Sequence, residues 1–231
     1  VVLFAEIAAH FGKTEDVKRY RDLAQRIKDN FNRTFYNGNG LYADGGLTAL
    51  GTPLYFGLCH DGENTAVVNA LVAVAEKSDC TAQFGILGAK HVPRALADNG
   101  HADLALRFFM QEQYPGWVNW LRRGAVSLWE TWHGSASRNH IMFGDISGWL
   151  FRYAAGFKHQ PEHPGWKHLA ICPEDLQALD SVKAEYRGYV LQWNRQHGVL
   201  KGTISVPSGC TADVRLPNGT QKTCPAGVHT F

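Results

Sequence analysis

The sequence predicts a mainly α-helical fold followed by a smaller β domain. Through residue 157, apolar residues recur at the three- and four-residue spacing of amphipathic helices, and glycine or asparagine separates the segments. After a polar, proline-containing stretch at 158–166, apolar residues alternate with polar ones, as they do in half-buried strands. We therefore expect a helical region at 1–157 and a β region at 158–231.

The helical region opens with two segments joined at a glycine. Apolar residues lie at helical spacing over 1–11, and Gly12 is a typical residue for the C-cap that follows. Thr14 is the expected N-cap of a second helix, whose apolar positions repeat at helical spacing as far as Phe31. The stretch 35–47 is rich in glycine and asparagine and predicts a loop or a small hairpin.

Further helices follow after this loop. They are predicted at 64–75, 93–98, 101–112 and 145–155. Short turns that carry glycine or asparagine separate them, which is typical of stacked helical hairpins.

The β region is expected to form a small antiparallel β-sandwich. Alternating or apolar runs predict strands at 182–186, 189–193, 199–206 and 213–216. Turn residues separate these runs at Arg187-Gly188, Ser208-Gly209 and Asn218-Gly219.

Composition excludes several classes of function. The net charge is +2 without a basic run, so nothing indicates nucleic-acid binding. No stretch approaches the roughly 18 consecutive apolar residues of a membrane span. No cofactor is indicated, and the compartment stays open, because the chain starts within a predicted helix and its natural N-terminus is expected upstream.

Neither the cysteines nor the histidines indicate a metal site. Five cysteines without a CxxC pair argue against zinc and against a disulfide scaffold, although a pairing of Cys210 with Cys224 stays open. His159, His163 and His168 flank prolines and lack a cluster of partner ligands, so we expect no metal there either.

The segment 127–134 carries the strongest chemical signal, because it places one carboxylate between two indoles. A glutamate beside aromatic rings, here Glu130 between Trp129 and Trp132, can have its pKa tuned by partial desolvation. Exposed indoles can also stack on the apolar face of a pyranose. The pattern indicates a carbohydrate site with an acid/base carboxylate. The alternative is a glutamate at a helix start beside two core tryptophans, since tryptophan is usually highly buried.

Other motifs surround this one. They are Leu54–Leu58 (LYFGL), Phe84–Gly88 (FGILG), Pro93–Leu96 followed by Asn99-Gly100, Gln113–Trp117 (QYPGW), Asn139–Gly144 (NHIMFG), the helix 145–156, Gly165–Leu169 and Val206–Ala212. Together with the Trp-Glu-Thr-Trp segment they resemble the bacterial α-L-rhamnosidases of glycoside hydrolase family 78. The resemblance runs from about Thr48 to the C-terminus.

This resemblance implies a six-hairpin (α/α)6 barrel ahead of a C-terminal β-domain. The predicted helices of 1–157 supply about three to three and a half hairpins, so this region is expected to be the C-terminal half of the catalytic barrel. Residues 158–231 are then the C-terminal β-sandwich, and the chain is expected to be part of a larger enzyme.

The resemblance also implies roles for individual residues. Glu130 matches the general base of an inverting glycosidase, and His140 matches a histidine that contacts sugar hydroxyls, with Asn139 beside it. The family's general acid lies in an upstream acidic motif without a counterpart here, and neither Asp44 nor Glu63 has a suitable context. The chain alone is therefore expected to be inactive.

Three tryptophans remain candidates for contact with sugar. Trp129 and Trp132 either stack on the sugar or pack in the core, and Trp117, which follows a Pro-Gly turn, either lines the cleft or packs. The segment 133–138 is shorter than in many family members, which leaves the substrate preference open.

The expected partner is a rhamnose-containing glycoside or oligosaccharide. The alternatives are a helical domain that binds carbohydrate or a partner without turnover, and an (α/α)6 hydrolase of another sugar, because fold does not fix function.

Overall fold

A computed structural model of the protein describes residues 1–231, except the side chain of Pro164. The helices are α1 (Val2–His10), α2 (Thr14–Phe35), α3 (Leu47–Phe56), α4 (Asn64–Lys77), α5 (Ile86–Asp98), α6 (Ala102–Met110), α7 (Trp117–Arg122) and α8 (Asp145–Trp149). A 3₁₀ turn at Ile141–Phe143 precedes α8, and a π-helical turn at Leu150–Ala154 continues it.

The strands are β1 (Tyr36–Gly38), β2 (Leu41–Tyr42), β3 (Phe157–Lys158), β4 (His168–Ile171), β5 (Ser181–Tyr186), β6 (Tyr189–Gln196), β7 (Val199–Val206), β8 (Thr211–Arg215), β9 (Gln221–Cys224) and β10 (Gly227–Thr230). The first two form a small antiparallel hairpin between α2 and α3, and the others build the β domain. The mainly helical fold with a following β domain is thus as predicted, although β3 begins at Phe157, the last residue of the region expected to be helical.

Helices α3 and α5 pack closely because each of them has a glycine at the contact. A Cβ on Gly51 would lie 2.8 Å from Cγ2 of Val92, and one on Gly88 would lie 2.4 Å from Oγ1 of Thr48. Helix α5 begins at Ile86 rather than at Pro93, so the expected helix start was wrong. A proline inside a helix usually disrupts it, but α5 continues past Pro93 to Asp98.

The helical core lies between α3, α4, α5, α6 and α8. Leu50, Leu71, Leu96, Phe108 and Trp149 are fully buried in it. The indole Nε1 of Trp149 donates to the carbonyl of Pro93 at 3.1 Å and so connects α8 to the middle of α5.

The β domain consists of two four-stranded sheets around a second core. One sheet is antiparallel with the order β10-β7-β6-β5, and the other has the order β3-β4-β8-β9. Strands β4 and β8 pair in parallel, so the second sheet is mixed and the expectation of a purely antiparallel sandwich needs this correction. Alternate residues of β6 point into the core, where Tyr189, Leu191 and Trp193 are fully buried.

The two regions are joined by a direct hydrogen bond and by a tight backbone contact. Nε1 of Trp193 donates to the carbonyl of Ala154 at 3.1 Å. A Cβ on Gly156, whose φ is +77°, would lie only 2.1 Å from the nitrogen of Pro173. The end of the helical region is therefore packed against the β domain.

All five cysteines are free, including Cys210 and Cys224. Within the described residues, no helix is long and apolar enough to cross a bilayer. No cluster of three potential metal ligands occurs in this part of the chain either.

Candidate active site

Glu130 lies in the connection between α7 and the 3₁₀ turn at Ile141–Phe143, and this connection folds back on itself. The amide of Glu130 donates to the carbonyl of Ser137 at 2.9 Å, and the amide of His140 donates to the carbonyl of Leu128 at 2.9 Å. We call residues 128–140 the Glu130 loop. Glu130 is therefore not at a helix start, and the doubled-back chain brings the segments of Glu130 and His140 side by side.

The Glu130 carboxylate is oriented by the main chain. Its Oε2 accepts a hydrogen bond from the amide of Ser137 at 3.2 Å, and the residue is partly buried. None of the salt bridges among the described residues involves it. A carboxylate has about four acceptor positions, so most of them stay available to water or a ligand.

Two polar atoms close to Glu130 in the chain are buried without a hydrogen-bond partner in the described part of the protein. They are Nδ1 of His140 and Oγ1 of Thr131. Leaving a buried polar group unpaired costs about 1–3 kcal/mol, and such groups are normally satisfied by protein or ordered water. The Glu130 loop therefore leaves two polar groups unsatisfied within the described part of the protein.

Trp132 anchors the Glu130 loop to the helical core. Its Nε1 donates to the carbonyl of Phe84 at 2.7 Å, and its own carbonyl accepts from Nε1 of Trp120 at 2.7 Å. The ring centroid of Phe143 lies 4.3 Å from that of Trp132, and Trp117 meets it edge-on at 4.9 Å. The residue is partly buried, and its main contacts are structural.

Trp129 is only 3% exposed, so stacking of a sugar on this residue does not fit its position. The guanidinium groups of Arg123 and Arg138 lie over its ring, 4.9 Å and 4.7 Å from the centroid. Arg123 also donates to the carbonyls of Trp132 and His133, at 3.2 Å and 2.7 Å. The ring is thus covered by two cations that brace the turn after Glu130.

A glycine allows this turn to lie against the Trp129 ring. Gly134 is buried and has a φ of +74°, and a Cβ there would lie 2.5 Å from Cε3 of Trp129. Arg138 reaches the same turn and donates from Nε to the carbonyl of Gly134 at 3.3 Å.

Trp117 is buried as well, with 6% exposed, and its Nε1 donates to the carbonyl of Phe143 at 3.1 Å. It borders an apolar cleft of about 480 Å³ that is also lined by Trp120, Val126 and Ile146. Glu130 and His140 are not among the lining residues. Trp117 therefore packs in the core and does not line a cleft that contains the candidate base.

Asn139 is exposed on the Glu130 loop, directly before His140. Its backbone amide donates to Oγ of Ser137 at 3.3 Å, and its carbonyl lies 3.4 Å from the same hydroxyl. Glu130, Asn139 and His140 thus lie on one loop, whereas Trp129 of the same loop and Trp117 of α7 are buried.

Sequence reasoning did not identify Arg123, Arg138 and Ser137. Arginines and serines are common in polar loops. A single sequence therefore does not indicate that Arg123 and Arg138 lie over the indole of Trp129. The contact depends on residues that the folded loop brings together from positions 123, 129 and 138.

Comparison with known proteins assigns both regions. A family model described as the bacterial α-L-rhamnosidase six-hairpin glycosidase domain matches residues 1–154. A second model, the bacterial α-L-rhamnosidase C-terminal domain, matches residues 156–229.

Curated relatives agree with these matches. An α-L-rhamnosidase of Streptomyces avermitilis is 28% identical over 230 residues, which cover 93% of this chain and 22% of the relative. An α-L-rhamnosidase of Alteromonas sp. (strain LOR) is 27% identical over 222 residues, 90% of this chain and 22% of the relative. The chain thus spans about a quarter of the length of the curated relatives it matches.

Solved structures show the same fold. The α-L-rhamnosidase from Dictyoglumus thermophilum superposes with a TM-score of 0.90 at 24% identity, covering 100% of this chain and 30% of that one. The Streptomyces avermitilis α-L-rhamnosidase complexed with L-rhamnose gives 0.87 at 25% identity, covering 98% and 25%. With two thirds of its residues inside the first family model, the chain belongs to the bacterial α-L-rhamnosidase six-hairpin glycosidase family.

Proposed function

We propose that this chain is part of an α-L-rhamnosidase in which Glu130 is the general base of an inverting hydrolysis of terminal α-L-rhamnosides. In this proposal residues 1–157 form the C-terminal half of the (α/α)6 catalytic barrel, and residues 158–231 form its C-terminal β-sandwich. Family membership supports the reaction class, since the relatives are α-L-rhamnosidases. The observation that carries the base assignment is the Glu130 carboxylate itself, fixed by one main-chain amide and free of a cationic partner among the described residues.

Inverting hydrolysis requires two carboxyl groups with different tasks. The base takes a proton from water while the water oxygen attacks the anomeric carbon, and an acid protonates the departing glycosidic oxygen. The two groups stand about 6.5–9.5 Å apart so that the water fits between the base and the sugar. Glu130 suits the first task, because Ser137 orients one oxygen and leaves further acceptor positions for the water.

The acid is not assigned to a residue of this chain. Oδ1 of Asp44 accepts from the amide of Gly46 within its own turn at 3.0 Å. Glu63 lies beside Tyr36, where burial and a hydrogen bond to this glutamate raise the pKa of the tyrosine hydroxyl. Neither contact suggests a proton donor to a sugar, and we expect the 231-residue chain alone not to hydrolyse an aryl α-L-rhamnoside.

His140 is proposed to hold a hydroxyl of the rhamnose ring, with the exposed Asn139 beside it. His140 is partly exposed, and a sugar hydroxyl can both donate to its imidazole and accept from it, whichever nitrogen carries the proton. Trp132 is the remaining indole with an exposed part, and we propose that it contributes at most an edge to the site.

The test uses the protein that contains this chain and an aryl α-L-rhamnoside. Proton NMR of the first-formed sugar, recorded before mutarotation, should show inverted anomeric configuration. Glu130→Gln keeps the shape of the side chain and removes the base, so kcat should fall at least about 100-fold while binding of L-rhamnose changes little. His140→Ala should weaken binding as well as turnover, because it removes a contact to the sugar.

Arg26→Gln is a suitable control, since Arg26 is exposed on α2. Retention of configuration would exclude Glu130 as a water-activating base. A Glu130→Gln protein of normal activity would remove the residue from the mechanism, and binding of L-rhamnose without any turnover would favour a carbohydrate-binding domain instead.

A further inference from the structure

A pocket lies where the helical region meets the β domain, and it shares no lining residue with the Glu130 loop. Its volume is about 340 Å³. We call it the junction pocket and define it by six of its lining residues: Arg94, Phe151, Arg152, His159, Trp166 and Tyr186. Small-molecule sites commonly have volumes of about 300–1,000 Å³ and often lie between domains, so the pocket is large enough for one sugar ring.

Aromatic side chains from both regions form one wall of the junction pocket. Trp166 meets Tyr186 edge-on with their ring centroids 4.9 Å apart, and the centroid of Phe151 lies 6.2 Å from that of Tyr186. Phe151 is 40% exposed, and Trp166 and Tyr186 are each partly exposed. The wall thus presents accessible ring surface, unlike the covered ring of Trp129.

Trp166 is held in a backbone conformation that costs free energy. Its φ is +63°, in the left-handed region that residues other than glycine rarely adopt. Such positions persist where surrounding contacts fix them and are often found at ligand sites. Here Oη of Tyr189 donates to the carbonyl of Trp166 at 2.9 Å and holds the residue in place.

The lining of the pocket also includes two arginines, Arg94 and Arg152. The charge of Arg94 is balanced by a bidentate salt bridge with Asp145. Arg152, by contrast, has no carboxylate partner among the described residues, and its guanidinium lies over the ring of Tyr153, 5.6 Å from the centroid. A second cation, the guanidinium of Arg187, lies 5.9 Å from the ring centroid of Trp166.

We propose that the junction pocket binds a carboxylated pyranose, a uronate, with its ring against Trp166 and its carboxylate on Arg152. Aromatic rings receive the apolar face of a pyranose, and guanidinium groups bind carboxylates with strong, charge-assisted hydrogen bonds. A neutral sugar would leave the Arg152 guanidinium without a carboxylate partner. The proposal does not depend on the role of Glu130, because the two sets of residues do not overlap.

The experiment compares two ligands that differ only in the carboxylate, methyl β-D-glucuronide and methyl β-D-glucoside. Both are titrated into the 231-residue chain, with binding followed by calorimetry and by the indole N–H resonance of Trp166, which the Trp166→Ala spectrum identifies. We expect the glucuronide to bind with a Kd of about 1 mM and the glucoside at least about tenfold more weakly, since hydrogen bonds to charged groups contribute that much. Added salt should weaken the binding of the glucuronide and leave that of the glucoside unchanged.

Variants of the chain separate the two contacts. Arg152→Gln should weaken glucuronide binding about tenfold and leave the glucoside unchanged, whereas Trp166→Ala should abolish binding of both. Arg152→Lys keeps the charge and serves if the glutamine variant does not fold, as judged by circular dichroism. Arg26→Gln removes a guanidinium from an exposed site on α2 and should change nothing.

Several results would overturn the proposal. They are equal affinity for the two ligands, an unchanged affinity in both Arg152 variants, and no saturation by the glucuronide at about twenty times the expected Kd. Competition by methyl α-L-rhamnoside would also contradict it, because the signal would then come from the Glu130 loop.

Discussion

The guanidinium of Arg94 donates two hydrogen bonds to the carboxylate of Asp145, Nε to Oδ2 at 2.7 Å and Nη2 to Oδ1 at 2.8 Å. The pair connects the middle of α5 to the first turn of α8, the helix that directly follows the Glu130 loop and its 3₁₀ turn. Asp145 also stabilises α8, because a carboxylate in the first turn of a helix interacts favourably with the helix dipole.

Arg94→Met should lower the free energy of unfolding by about 2 kcal/mol. Removing one partner of a buried pair typically costs about 3–5 kcal/mol, and these side chains are 20% and 18% exposed, which reduces the effect. Urea denaturation provides the measurement. Arg94→Lys keeps the charge but loses one of the two hydrogen bonds and should fall in between, and Arg94→Met combined with Asp145→Asn should recover part of the loss. Equal stability of Arg94→Met and the unchanged protein would show that the pair contributes nothing.

Gly134→Ala should destabilise the protein far more than Gly124→Ala. Both glycines have positive φ values, +74° and +79°, so an added methyl group strains the backbone at each by about 1–2 kcal/mol. Only at Gly134 would the new Cβ also collide with the Trp129 ring, since nothing lies within 4 Å of one at Gly124. Thermal unfolding should rank the two variants, and near-UV circular dichroism should report a displaced indole for Gly134→Ala alone. Similar losses at both positions would mean that the ring moves aside freely.

His91 should make the protein less stable at mildly acidic pH. It is 5% exposed, its ring stacks on that of Tyr55 at 4.6 Å, and its Nδ1 lies 3.1 Å from Oγ1 of Thr52. Burial, and to a lesser degree Lys90, lowers the pKa of the His91 imidazole below its ordinary 6.5, while Asp145 opposes the shift.

The direction of this pH dependence follows from the protons that the folded and unfolded chains bind. The unfolded chain takes up a proton at His91 below about pH 6.5, where the folded protein still holds the ring neutral. The free energy of unfolding should be highest above pH 6.5 and should decrease as the pH falls towards the lowered pKa. Urea titrations at pH 7.5 and pH 5.5 should show a smaller pH effect for His91→Gln than for the unchanged protein. His10→Gln, at an exposed position, should keep the full effect, and an unaltered pH effect in His91→Gln would contradict the prediction.

Trp132→Phe should loosen the Glu130 loop while keeping most of the packing. The substitution removes the Nε1 donor that binds the carbonyl of Phe84 at 2.7 Å, and it leaves that partly buried carbonyl without its partner. We expect a loss of about 1–2 kcal/mol of stability. Amide hydrogen exchange should increase at the amides of Glu130 and His140, which close the loop. Trp120→Phe is a matched comparison, because it removes the other indole hydrogen bond at the same place. Unchanged exchange in both variants would show that the indoles do not hold the loop.

The sequence predicted the fold class and the family well because both depend on local patterns and on motif order. Helical spacing identified α2 and α4, and alternation identified β5 and β6. The parallel pairing of β4 with β8 joins strands about forty residues apart, and no local pattern encodes it.

The roles of the tryptophans could not be predicted from the Trp-Glu-Thr-Trp segment. An indole that stacks on sugar and an indole that packs in a core have the same local sequence. The folded chain distinguishes them, because Arg123 and Arg138 cover Trp129 and the carbonyl of Phe84 holds Trp132. Whether Glu130 acts as the base stays a prediction for the experiments above.

The hydrogen bond from Trp193 to Ala154 also bears on the order in which the protein matures. The π-helical turn that ends the helical region relies on an indole from β6, a strand that leaves the ribosome about forty residues later. During synthesis, the helix that follows the Glu130 loop therefore lacks this contact until about half of the β domain has emerged. A nascent chain stalled before Trp193 should be more open to proteases at residues 150–156 than one released after it. The β domain would then stabilise the end of the helical region during folding, as a part of the same molecule.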